Sequence, residues 1–227
     1  MRKLLVACAF VLAAGLVSPK PVAADPIQIT LQGVNDPSLT ANVLLVYDPG
    51  LGQLSLAITN TSANYDPRLT GFAFNVPSNI TGVSSFSSTP AGWSYSYDPN
   101  DIGSPGQFGF YDTAALTGAN LNGGSPNLGI PIGSTFNFAF GFTGSNLGSL
   151  NENSFVSLLA FDPAGGADES EQSFIARFQR VGVNGQGSDV AIPTSTRSVP
   201  EPSTLFLSGL GYLGLAATLR RRFRSRS

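Results

Sequence analysis

The acidic side chains best placed to bind a metal ion fall in one short stretch, residues 162–171. Its carboxylates are Asp162, Asp168, Glu169 and Glu171. Carboxylate oxygens are the ligands that Ca²⁺ prefers, and extracellular loops often carry such sites. The spacing differs from that of an EF-hand, so a solvated acidic loop between two strands is the preferred interpretation. A calcium site remains the alternative, and we expect no other cofactor.

Pairs of carboxylates also carry out glycoside hydrolysis. Between the two ends of the chain the glutamates are Glu152, Glu169 and Glu171, and none lies beside an apolar pattern typical of a catalytic pocket. The chain has no histidine, and its single cysteine is Cys8. Ser-His-Asp and Cys-His catalysis, disulfides and zinc sites built from His or Cys are therefore excluded. We predict no catalytic residues and no enzyme activity, with a glycoside-active hydrolase as the weaker alternative.

Three aromatic residues alternate with serines near the middle of the chain, Trp93, Tyr95 and Tyr97. In a strand this spacing places the three rings on one face, where sugar rings could stack. Aromatic rows are also common in protein cores, and that interpretation stays open. Residues 98–133 are the longest weakly patterned part, and loops there are a second place for ligand binding.

Charge is distributed unevenly along the chain. Residues 25–199 contain 13 acidic and 4 basic residues, a net charge of about −9. Most basic residues lie instead near the two ends. An acidic surface repels phosphate backbones, so we expect no nucleic-acid partner.

The elements that would position these residues are strands, because the apolar pattern from residue 27 to residue 181 has a period of two. Leu54, Leu56 and Ile58 share one face, for example. Further strands are predicted over residues 69–76, 135–143, 154–161 and 173–181, each bounded by turn-forming residues. The pattern predicts an all-β fold of eight to ten strands, a single β-sandwich that is either jelly-roll-like or immunoglobulin-like.

The N-terminal segment reads as a secretory signal peptide. Two basic residues precede an apolar run, and small residues lead to a cleavage site between Ala24 and Asp25. The predicted organisation is therefore a signal peptide over residues 1–24, a β-sandwich domain over 25–185, a polar linker over 186–198 and a C-terminal tail over 199–227.

The tail has three consecutive parts. Val199, Pro200, Glu201 and Pro202 open an extended segment over residues 199–204. An apolar run follows, from Leu205 to Leu219, which as a helix is about 22 Å long against about 30 Å of hydrocarbon. A basic cluster closes the chain: Arg220, Arg221, Arg222, Arg224 and Arg226. The positive-inside rule keeps this cluster in the cytoplasm and the predicted domain outside.

This tail resembles the PEP-CTERM sorting signal of exosortase-dependent surface proteins of Gram-negative bacteria. The resemblance implies that a membrane exosortase recognises Val199–Pro202, that the helix is then removed, and that the protein reaches the cell surface or extracellular matrix. Residues 51–62 and 69–77 resemble, loosely, the secreted β-sandwich cargo of that group.

These observations predict a non-catalytic, exported cell-surface or matrix protein, anchored in the inner membrane by its C-terminal helix until it is processed. Exosortase is the expected processing partner. The alternative is a module that binds carbohydrate, such as the exopolysaccharide of a biofilm.

Overall fold

Alternation of apolar and polar side chains produces strands throughout this computed structural model, which describes residues 26–105, 108–161 and 172–199. The strands are β1 (Ile27–Gly33), β2 (Thr40–Asp48), β3 (Gln53–Asn60), β4 (Arg68–Phe74), β5 (Ile80–Thr89), β6 (Ser94–Gly103), β7 (Phe110–Leu116), β8 (Thr135–Gly144), β9 (Phe174–Val181) and β10 (Gly187–Ser198). A 3₁₀ turn (Leu147–Ser149) and a short helix, α1 (Asn153–Val156), lie between β8 and β9.

All strand pairs are antiparallel and form one sheet, in the order β5-β8-β3-β2-β1-β10-β9-β4-β7-β6. β10 pairs with β9 from Gly187 to Ala191 and with β1 from Ala191 to Ser198. The two pairings share only Ala191, so β10 joins one half of the sheet to the other. Its register against β1 shifts opposite Thr30 and Leu31, beside Pro193. A bulge of this kind bends a strand and tolerates a proline.

The core lies between the two halves of the sheet and is rich in phenylalanine. Phe72 of β4 packs edge-on against Phe138 of β8, with ring centroids 4.8 Å apart, and also contacts Phe140 and Trp93. β4 and β8 are far apart in the strand order, so these contacts require the sheet to fold over on itself. The end strands β5 and β6 then approach each other, and the rings of Phe86 and Tyr95 lie 5.3 Å apart.

The all-β prediction is confirmed, and so are the strands predicted near β3, β4, β8 and β9. Leu54, Leu56 and Ile58 are all buried on one face of β3, as their spacing predicts. The finer prediction of a jelly-roll-like or immunoglobulin-like sandwich differs from the observed topology. The strands form one continuous sheet whose halves face each other, because β10 hydrogen-bonds to both halves.

Two segments differ from their predictions. The predicted linker, residues 186–198, is wrong, because Gly187–Ser198 is a central strand of the sheet. Its C-terminal side chains are polar and exposed, and backbone pairing with β1 holds the segment in place. The strand predicted over residues 154–161 is also wrong. The backbone N–H of Ser154 donates to Oδ1 of Asn151, which favours a turn, and helix α1 follows.

A chain that ends at Gly185 tests the importance of β10. We expect it to lose cooperative unfolding, because both β1 and β9 lose a hydrogen-bonding partner and a domain of this size is stable by only about 5–15 kcal/mol. A matched chain that ends at Val199 should unfold in one cooperative transition. The measurement is urea unfolding followed by circular dichroism, and equal stability of the two chains would contradict the assignment of β10 to the domain.

Candidate functional site

The two ends of the described domain are held side by side. β1 and β10 pair from Ile27 opposite Ser198, and the backbone N–H of Val199 donates to the carbonyl oxygen of Pro26 at 2.7 Å. Nη2 of Arg197 also donates to Oε1 of Gln28 at 3.0 Å. The chain therefore enters and leaves the sheet at one end, and the C-terminal tail begins where β10 stops.

Several predicted site residues lie outside the described residues. They are the cleavage-site residues Ala24 and Asp25, the calcium candidates Asp162, Asp168, Glu169 and Glu171, the motif residues Pro200, Glu201 and Pro202, the apolar run from Leu205 to Leu219, and the basic cluster of Arg220, Arg221, Arg222, Arg224 and Arg226. Within residues 26–105, 108–161 and 172–199, no helix is long and apolar enough to cross a membrane. The same ranges contain no group of three or more His, Cys, Asp or Glu side chains that could hold a metal ion.

A buried carboxylate, Asp112, organises the segment that follows the C-terminal end of β4. Asp112, on β7, accepts a hydrogen bond from the backbone N–H of Val76 at 3.0 Å and another from that of Asn100 at 2.8 Å. Its own N–H donates to Oδ1 of Asn75 at 3.1 Å. Nδ2 of Asn75 in turn donates to the carbonyl oxygen of Leu159. These four hydrogen bonds tie β6, β7, the end of β4 and the segment after α1 together.

A cavity of about 430 Å³ opens over Asp112. Asp112, Asn75 and Tyr97 supply polar atoms to its lining, and prolines and leucines form much of the remainder. The Tyr97 hydroxyl donates to the carbonyl oxygen of Ile80 at 3.1 Å. Burial, and secondarily the negative charge of Asp112, raise the pKa of Tyr97, so its hydroxyl stays neutral at physiological pH.

The rim of this cavity is shaped by an irregularity in β6. The register between β6 and β7 shifts between Tyr97 and Ile102, which lifts the residues between them out of the regular ladder. Asn100, in this bulge, has a left-handed backbone with φ of 58°. Bulges and positive φ values at non-glycine residues concentrate near binding sites, where the surrounding structure must hold them. Here the hydrogen bond from Asn100 N–H to Asp112 holds the bulge.

Asp112 has no cationic side chain within ion-pair distance in the part of the chain that the structure describes. The ion pairs found there join Asp66 to Arg68 and to Arg180. Asp112 is 8 % exposed, so backbone N–H groups are what stabilises its charge. The cavity therefore presents a negative, acceptor-rich floor.

Glu152, the one predicted hydrolase candidate that the structure describes, is 2 % exposed. Its Oε1 accepts a hydrogen bond from the backbone N–H of Tyr47 at 2.9 Å, and its carbonyl oxygen accepts from Phe155 in α1. Glu152 thereby fastens α1 to the end of β2. It lies outside the Asp112 cavity.

The predicted aromatic row does not form an open face, because its first member belongs to the core and Tyr97 packs against the same core. Trp93 is buried against Phe72 and Phe138, and its Nε1 donates to the carbonyl oxygen of Leu128 at 3.0 Å. Trp93 also precedes β6 instead of lying within it. Tyr97 is partly buried at the cavity, and only Tyr95 is largely exposed. A surface on which sugar rings could stack would need all three aromatic rings to be exposed to solvent.

Asp112 and Asn75 are functional candidates that the sequence alone did not single out. Asp112 lies within β7 and Asn75 directly follows β4, and every residue of these two strands except the first is buried. A buried polar side chain in such a position needs hydrogen-bonding partners. A polar residue in or beside a buried strand was therefore the available signal. The partners of Asp112, Val76 and Asn75, are 36 and 37 residues away and could not be identified from the local sequence.

Comparison with known proteins identifies the C-terminal tail. The model of the PEP-CTERM protein-sorting motif matches residues 198–222, and the predicted sorting signal is thereby confirmed. This motif implies export toward the cell envelope or surface and processing by exosortase. No curated protein and no solved structure matches the chain. The match begins at Ser198, the last residue of β10.

Replacing Asp112 tests its part in holding this site together. Asp112→Ala leaves the N–H groups of Val76 and Asn100 without their acceptor, and we expect a loss of about 2–4 kcal/mol in the free energy of unfolding. The matched control Asp98→Ala removes an exposed carboxylate from the same bulge and should change stability by less than about 0.5 kcal/mol. Urea unfolding measures both, and equal effects would contradict the role of Asp112.

Trp93 is the single tryptophan, so its fluorescence reports its burial directly. We expect blue-shifted emission that acrylamide quenches poorly, because Trp93 is 8 % exposed and its ring packs against Phe72 and Phe138. Unfolding in urea should shift the emission to the red and make it quenchable. Emission typical of an exposed indole in the folded protein would contradict the core position.

Proposed function

We propose that this protein is a non-catalytic component of the cell surface or extracellular matrix, delivered there by exosortase acting on its C-terminal tail. One observation carries the proposal. The sorting motif starts at Ser198, so the domain and its sorting signal meet without a spacer. A strand in the middle of the sheet thus connects the whole domain to the segment that exosortase would process.

The shared position of the two chain ends supports a defined orientation during export. Pro26 and Val199 are hydrogen-bonded neighbours, so the predicted leader and the predicted membrane helix extend from one end of the domain. In this proposal that end faces the membrane until the tail is removed. The Asp112 cavity is built around the segment after β4, beyond Phe74.

The use of buried carboxylates supports a non-catalytic role. Asp189 of β10 accepts hydrogen bonds from the backbone N–H groups of Asn35 and Asp36, both at 2.9 Å. Asp112 and Glu152 also accept from backbone N–H groups. Each of these carboxylates therefore braces a loop or strand end.

A second candidate role is carbohydrate binding, and the cavity over Asp112 is the observation that favours it. The cavity combines a few polar groups with apolar walls, which is typical of small-ligand sites. It includes Pro99 and Asn100, which fall in the 98–133 stretch where the sequence analysis placed possible binding loops.

Replacing the sorting motif tests the delivery mechanism. A variant in which Pro200, Glu201 and Pro202 are all alanine should keep its tail and accumulate in the membrane fraction, because the expected recognition residues are missing. Intact-mass analysis of the surface and membrane fractions measures this. The unaltered protein should be recovered at the surface as a species that begins at Asp25 and lacks residues 205–227.

The matched control is Thr196→Ala, which changes an exposed side chain of β10 just before the motif. It should be processed like the unaltered protein. If the alanine-substituted motif were processed normally, or if the surface species kept its basic cluster, exosortase-dependent delivery would be wrong.

A further inference from the structure

The Asp112 cavity offers hydrogen-bond acceptors that the hydrogen bonds among the described residues do not exhaust. A carboxylate has about four acceptor positions, and Asp112 uses one on Oδ2 for Val76 and one on Oδ1 for Asn100. The oxygen of Tyr97 also retains acceptor capacity after its hydroxyl donates to Ile80. A ligand that enters the cavity is therefore favoured if it brings hydrogen-bond donors.

The charge of the cavity restricts the ligand further. Among the described residues that line it there is no lysine or arginine, and Asp112, which is buried, is one of them. Bringing a second negative charge into so buried a position would be unfavourable, because like charges repel strongly where water is scarce. Anionic ligands such as phosphates and uronic acids are thereby disfavoured.

The walls supply an apolar surface next to these acceptors. Pro77, Pro99, Leu158 and Leu159 line the cavity, and Leu159 is 57 % exposed. A sugar ring has hydroxyl donors at its edge and C–H groups on its faces, which matches acceptors on the floor and apolar walls. The volume of about 430 Å³ falls within the range of small-ligand pockets, about 300–1,000 Å³.

From this geometry we propose that the Asp112 cavity binds a neutral sugar residue of a polysaccharide chain, with hydroxyl groups donating to the carboxylate and the ring packing against Leu159. The inference deepens the carbohydrate-binding role and rests on the proposed surface location, where such chains are available. The bulge in β6 holds Pro99 and Asn100 at the rim through the Asn100–Asp112 hydrogen bond.

Calorimetric titration of the exported protein tests this inference. The probes are neutral gluco-, galacto- and manno-oligosaccharides, each compared with oligogalacturonate of equal length. We expect at least one neutral series to bind with a Kd in the millimolar range or tighter. Oligogalacturonate should bind at least about tenfold more weakly, because its carboxylates meet Asp112.

The variant Leu159→Asp distinguishes binding in this cavity from binding at other surfaces. It leaves the hydrogen bonds of Asp112 in place, because none of them uses the Leu159 side chain. It places a charge on the wall and should weaken neutral-sugar binding at least about tenfold. The matched control is Val183→Asp, which also adds a charge at an exposed apolar residue, 84 % exposed, past the end of β9 farthest from Asn75. Val183→Asp should bind like the unaltered protein. Thermal unfolding of both variants checks that they are folded.

Three outcomes of the titrations without a chelator would overturn the inference. They are no binding of any neutral series, equal binding of the neutral and uronic series, and binding that folded Leu159→Asp retains in full. Loss of binding on chelation of divalent cations would also overturn it, because the ligand would then contact a metal ion instead of Asp112. None of these results changes the mass or the location of the exported protein, so the proposed delivery by exosortase stands or falls separately.

Discussion

The fold depends on the double pairing of β10. This strand hydrogen-bonds to β9 with its first part and to β1 with its last, so it is the connection that makes two facing half-sheets into one. Its Asp189 also accepts hydrogen bonds from the β1–β2 loop, which fixes the strand from the side. Because β10 comes last in the described chain, the sheet is complete only when the whole domain is present. The sorting signal then starts at its final residue.

Two kinds of interaction stabilise the two half-sheets that β10 joins. Between the half-sheets, phenylalanine rings pack edge-on and stacked around Phe72 and Phe140. At the strand ends, buried carboxylates accept backbone N–H hydrogen bonds, Asp112 beside β4 and Glu152 beside β2. The first interaction is non-directional and makes the domain stable, whereas the second fixes loop geometry. Around Asp112 the second also leaves a cavity of about 430 Å³, so the candidate ligand site is a consequence of how the loops are held.

The sequence predicted a feature correctly where the residues that cause it lie within one short stretch of the chain. The period of two predicted the buried face of β3, and the order of motif, apolar run and arginines predicted the sorting tail. It was uninformative where the cause is a distant partner. The polar residues of β10 look like a linker because their strand character comes from backbone pairing with β1, about 165 residues earlier. The alternation around Trp93 likewise predicted that the rings share a face of a strand, but not whether that face packs on the core. Asp112 accepts hydrogen bonds from the N–H groups of Val76 and Asn100, which are not its neighbours in the sequence.

Hydrogen exchange of the β10 amides tests the central claim most directly. If β10 is a central strand, its amides that pair with β9 and β1 should exchange as slowly as those of β1, with an opening free energy close to that of global unfolding. The tail would then begin at the end of a strand that is held firmly in the sheet. Exchange of residues 191–198 as fast as in an exposed segment, while β1 stays protected, would contradict it and return this segment to the linker that its composition suggested.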